Sequence, residues 1–136
     1  MFRVSFNILI IVLLSSCHKL PPSYFITGLT QKSHFLEGTF EARNISGKIN
    51  CDTYVKNKLL DKFLYLGFEN TPYWRPRLES QIVLSNEIRK KLLENIYNKE
   101  LNSDTSNKTC ISTFQFNVNA ILIQLEHENI ISPLGY

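Results

Sequence analysis

Cysteine and histidine are the residues through which this chain could do metal, redox or nucleophilic chemistry, and their spacing offers little of it. Cys17, Cys51 and Cys110 are far apart, and none has a second cysteine at C-x-x-C spacing, the usual unit of a zinc site or a redox dithiol. His18 and His34 fall in the N-terminal part, and His127 sits between Glu126 and Glu128. A Glu-His-Glu run holds a metal only with a distant further ligand, and is otherwise an exposed polar edge. Asp52, Asp61 and Asp104 are separate and form no carboxylate pair. No Gly-x-Ser-x-Gly elbow, phosphate-cradling glycine loop or His-Glu-x-x-His pair is present. The chain therefore reads as non-enzymatic, with no catalytic residue, metal or cofactor assigned.

One stretch has binding chemistry. Tyr73-Trp74-Arg75-Pro76-Arg77 joins the sole tryptophan to a tyrosine and two arginines, between Pro72 and Pro76. Tryptophan, tyrosine and arginine are enriched where proteins bind one another. Arginine also stacks on rings and forks onto carboxylate or phosphate. The prolines keep the segment out of regular pairing. Two readings stand: Tyr73, Trp74, Arg75 and Arg77 present a binding loop, or Trp74 folds inward as a core plug with both arginines solvated.

The N-terminus reads as an export signal over residues 1–17. Arg3 opens it, Ile8 to Leu14 forms its apolar core, and Ser15 and Ser16 precede Cys17. The apolar run is short for a bilayer span, so no transmembrane span is expected. Leu14-Ser15-Ser16-Cys17 also fits a bacterial lipobox, in which Cys17 is lipidated. Plain secretion and an outer-membrane lipoprotein facing the periplasm both remain open. Cleavage would leave 119 of 136 residues, enough for one domain with a core, and would take the formal charge from +3 to +2. No basic cluster has the density of a nucleic-acid footprint.

In an exported chain, Cys51 and Cys110 form an even pair, so a disulfide is the default reading. Asn44-Ile45-Ser46 and Asn107-Lys108-Thr109 are glycosylation sequons, usable only in a eukaryotic secretory pathway.

Short strands separated by turns make up most of the expected elements. Ile45 to Cys51 alternates Ile45, Gly47, Ile49 and Cys51 against Ser46, Lys48 and Asn50, the period of a half-buried central strand. Residues 18–33 read as an extended leader to a single domain over 34–136, and 34–40 as strand-like. Phe63 to Phe68 reads as a buried strand, Gln81 to Leu84 as another, and Thr113 to Val118 as an alternating one, followed by a denser apolar run at Ala120 to Leu125. One helix is expected near 86–97, covering at least 87–94. There Ile88, Leu92, Leu93, Ile96 and Tyr97 recur at helical spacing after a possible Ser85 or Asn86 cap. The pattern predicts a mainly β protein, an antiparallel sandwich or barrel.

The chain resembles the nematode transthyretin-like family. Ile45-Ser46-Gly47-Lys48-Ile49-Asn50-Cys51 is similar to that family's opening strand, and Lys62 to Asn70 to its second. Ser80 to Glu87 is similar to its Gly-x-Phe-x-Leu-Ser-Gly segment with both glycines and the phenylalanine replaced. Asn95-Ile96-Tyr97-Asn98 stands at its Ile-Tyr-His run without the histidine, and Cys110 with Phe114, Phe116 and Val118 matches its late strand. Over residues 45–119 the resemblance implies a secreted β-sandwich of transthyretin-like or immunoglobulin-like type. It further implies a non-enzymatic extracellular protein that binds a protein or an apolar or lipid ligand. The rival expectation is a lipoprotein anchored through Cys17, an accessory or chaperone in envelope or secretion-system assembly.

Overall fold

Two antiparallel hairpins form the frame. In the computed structural model, which describes residues 20–133, β1 (Ser23–Lys32) and β2 (Phe35–Arg43) make the first hairpin. Strands β3 (Ile96–Asp104) and β4 (Thr109–Asn117) make the second. Antiparallel pairing of β2 with β4 joins them into one sheet of order β1-β2-β4-β3. Alternation builds its buried face, because successive side chains of a strand point to opposite sides. Leu36, Phe40 and Ala42 of β2 and Cys110, Ser112, Phe114 and Phe116 of β4 are buried there. The opposite face carries Glu37, which bonds Lys99 at 2.9 Å and Lys32 at 3.3 Å.

Among the described residues, three helices supply the rest of the core. The first, α1 (Cys51–Asp61), starts where the Asn50 side chain accepts the Thr53 amide at 3.1 Å, with Asp52 in the first turn. Cys51, Val55 and Leu59 follow at four-residue spacing, all buried. The stripe continues to Phe63 in a π-helical turn (Lys62–Leu66), closed by the Gly67 amide on the Lys62 carbonyl at 2.6 Å. Helix α2 (Asn86–Leu93) has Ser85 as its N-cap, bonded to the Ile88 amide at 3.3 Å, and Glu94 as C-cap. Helix α3 (Val118–His127) is capped by Asn117 and buries Val118, Ile121, Leu122 and Leu125. The disulfide Cys51–Cys110, with α-carbons 5.9 Å apart, ties the first residue of α1 to β4.

The expected helix is present, and Ile96 and Tyr97 leave it to start β3. The alternation of Phe114 and Phe116 in β4 and the disulfide are also present, while Val118, expected on the same strand, is the first residue of α3. Other expectations need correction. Ile45 to Asn50 is a turn and Cys51 opens α1: the Ile45 amide bonds the Lys108 carbonyl, the Ile49 amide bonds the Ser46 carbonyl, and Ile49 is 41% exposed. Its alternation has no facing strand, and the Asn50 cap turns the chain into a helix. Phe63 to Phe68 is the π-helical turn and its exit, Gln81 to Leu84 is irregular, and Ala120 to Leu125 lies in α3. Each is a short apolar run, which strand and helix share until a partner is known. The described residues therefore form one four-stranded sheet with a helical layer, and the second sheet of a sandwich is not among them. Residues 23–32 of the expected leader are β1, paired with β2. The expected signal segment, with Cys17, lies outside the described residues.

Candidate functional site

The segment from Gly67 to Leu78 is irregular yet tied down by its backbone. The Phe68 amide bonds the Tyr73 carbonyl at 2.9 Å, and the Thr71 hydroxyl donates to the Phe68 carbonyl at 2.7 Å while accepting the Tyr73 amide at 3.0 Å. Further on, the Arg77 and Leu78 amides both bond the Leu64 carbonyl, at 2.9 and 2.8 Å. A loop held at both ends presents its side chains in a defined geometry, which lowers the ordering cost of binding.

This geometry divides the four predicted binding residues into two pairs. Tyr73 and Arg77 face the core. The Tyr73 ring lies 6.2 Å from that of Phe63, and its hydroxyl accepts the Gln31 amide at 3.4 Å. The Arg77 guanidinium lies 5.6 Å from the Tyr73 ring centre and 5.9 Å from that of Phe63, with its Nε buried and unbonded. Trp74 and Arg75 face outward. Trp74 is 56% exposed, and the Arg75 guanidinium stacks on it at 4.5 Å. Trp74 is therefore no core plug, and Leu78 is the buried residue of this stretch.

Two exposed apolar side chains stand on neighbouring chain. Leu66 directly precedes Gly67, and Val83 follows Ile82, whose carbonyl accepts the Tyr65 hydroxyl at 2.7 Å. Apart from Leu20, Leu66, Trp74 and Val83 are the most exposed large apolar residues described. Sequence reading missed Leu66 because it placed that residue in a buried strand.

The remaining candidates are distributed elsewhere. Asn107 is exposed in the β3–β4 turn and donates to Asp104 at 2.8 Å, while Asn44 is half-buried at φ 60° with its amide toward the Pro21 carbonyl. His127 ends α3, and the adjacent Glu128 is occupied by Lys91 at 3.0 Å, whose ammonium holds that carboxyl below its usual range. Among the described residues, no cluster of three or more His, Cys, Asp or Glu side chains could hold a metal. No described helix is long and apolar enough to cross a membrane.

Comparison of the chain with models of protein families, with characterised proteins and with solved structures finds no match.

Proposed function

We propose that this is an exported, non-enzymatic binding protein whose contact surface centres on Trp74 and Arg75. The observation that carries the reading is the exposed Trp74 ring, stacked under Arg75 on a loop pinned to Leu64 and Phe68. A half-exposed tryptophan leaves apolar area uncovered, and a prealigned guanidinium adds a charged fork beside it. Leu66 supplies further apolar surface next to that loop, which suits a protein partner. The Cys51–Cys110 disulfide supports export, since such bonds persist chiefly in oxidising compartments.

A photo-crosslinking side chain placed at position 74 of the full chain, in the cells that make it, tests this reading. A discrete adduct there, absent when the same group replaces Lys58 on α1, is the expected result. No adduct at position 74, or the same adduct from both positions, would end it.

Anchoring through Cys17 is the second reading, favoured by the lipobox and by the start of β1 at Ser23, a few residues later. The intact mass of the natural protein separates the two. Diacylglycerol and acyl mass on Cys17 identifies a lipoprotein, and hexose mass at Asn107 or Asn44 identifies eukaryotic secretion.

A further inference from the structure

The two outer strands of the sheet differ in how they are protected. Strand β3 carries Lys99, Glu100 and Asp104 and a register shift between Asn98 and Glu100. Charges and bulges of this kind keep other strands from adding to an edge. Strand β1 has its own shift between Thr27 and Thr30, where Gly28 takes φ 61°. Before it runs Ser23-Tyr24-Phe25-Ile26-Thr27, with no charge and no proline, and with four of its five residues of strand-favouring type. Among the described residues, no strand pairs with the outer edge of β1.

The core is also unfinished on this side. A groove of about 490 Å³ opens along β1, lined by Tyr24, Ile26 and Leu29 together with Lys62, Phe68 and Glu69. Tyr24, Ile26 and Leu29 pack against the core but are only partly buried.

We propose that a second copy of this chain completes both features, its β1 pairing antiparallel with this β1 about a two-fold axis perpendicular to the sheet. Such an axis leaves both helical layers on the same side, so the two grooves open toward one another. The inward residues Tyr24 and Ile26 of each copy then stand beside Ile26 and Tyr24 of the other, and Leu29 lies past the register shift at the end of the paired stretch. Charge allows it: the paired stretch is neutral, and each groove brings one cation, Lys62, and one anion, Glu69, so neither sign accumulates at the axis. The product is a continuous eight-stranded sheet whose free edges are the two charged β3 strands.

One cysteine added at a time to the full chain, with Cys17→Ser in every variant and Cys51–Cys110 left paired, and cross-linked in the expressing cells with a short thiol reagent, tests the pairing. Phe25→Cys and Thr27→Cys place the thiol on the solvent face of β1, and Asn102→Cys places it on that face of β3. Directly opposed residues of an antiparallel pair stand about 5 Å apart, so a β1 position should give a product of twice the chain mass. Asn102→Cys should give none. Adding Thr27→Lys to the Phe25→Cys chain should cut the product at least tenfold by setting like charges across the axis. Circular dichroism of each variant should match the parent, and Thr27→Cys serves if loss of the Phe25 ring disturbs the fold. Absence of the doubled product from both β1 positions would overturn the proposal. So would an equal yield from Asn102→Cys, indifference to Thr27→Lys, or a product of any other mass, which would mean a different partner on this edge.

Discussion

Gly67 and Trp74 meet backbone to backbone: a β-carbon added at Gly67 would collide with the Trp74 carbonyl. Gly67 also has φ 84°, in the region that favours glycine. One residue thus ends the π-helical turn and seats the loop that carries Trp74. Gly67→Ala is expected to destabilise the protein by several kcal/mol, combining positive-φ strain of about 1–3 kcal/mol with a clash that only backbone movement relieves. It should also shift Trp74 fluorescence. A chemical-denaturation curve that overlays the parent would contradict this account.

Trp74 and Phe63 should behave oppositely on truncation. Trp74→Ala removes an exposed ring and is expected to change stability by no more than about 0.5 kcal/mol. Phe63 is fully buried, 5.1 Å from the Phe116 ring and 6.2 Å from that of Phe68. Phe63→Ala should therefore cost about 3–5 kcal/mol. Equal losses in the two variants would show that Trp74 is a structural residue.

The disulfide closes a loop between positions 59 apart, tying α1 to β4. In the chain-entropy model its removal costs about 4 kcal/mol. Cys51→Ser with Cys110→Ser should lower the denaturation midpoint accordingly, and reduction of the parent should do the same. Non-reducing peptide mapping should recover residues 51 and 110 in one linked peptide. Free thiols at both positions in natural material would remove this support.

Acid should destabilise the fold. The Ser106 hydroxyl and the nearby Asn107 amide hold the Asp104 carboxyl below its usual range, and the Lys99 and Lys32 ammoniums do so for Glu37. Burial pushes the Asp52 carboxyl up, but the Asn98 amide and the Lys56 ammonium outweigh it and leave it lowered. Lowered folded-state values mean that the unfolded chain takes up protons first. The stabilisation is then complete above the unfolded carboxylate pKa, about 4, and is lost as pH falls through the folded values. Thermal midpoints should hold between about pH 7 and 5 and fall below about 4, less steeply in Asp52→Asn. A midpoint that rises on acidification would reverse the sign.

Much of the local structure was legible from residues alone. The Ser85 cap and the spacing of Ile88 and Leu92 mark α2, and the alternation of Phe114 and Phe116 marks β4, because the backbone period decides which side chains share a face. An even cysteine pair sufficed for the disulfide. Tyr73 to Arg77 could be singled out by residue type, but not divided into an inward and an outward pair. That division depends on Phe63, which the Tyr73 ring and the Arg77 guanidinium approach, and on the Leu64 carbonyl that holds the loop's end. The helix over Cys51–Asp61 was not legible: Asp52 to Leu60 shows no strict period, and the alternation of Ile45 to Cys51 assigned Cys51 to a strand. A period-2 pattern becomes a strand only when a neighbouring edge takes up its amides and carbonyls. At Ile45 to Cys51 the tertiary structure offers the Lys108 carbonyl and then the Asn50 cap, and so makes a turn and a helix.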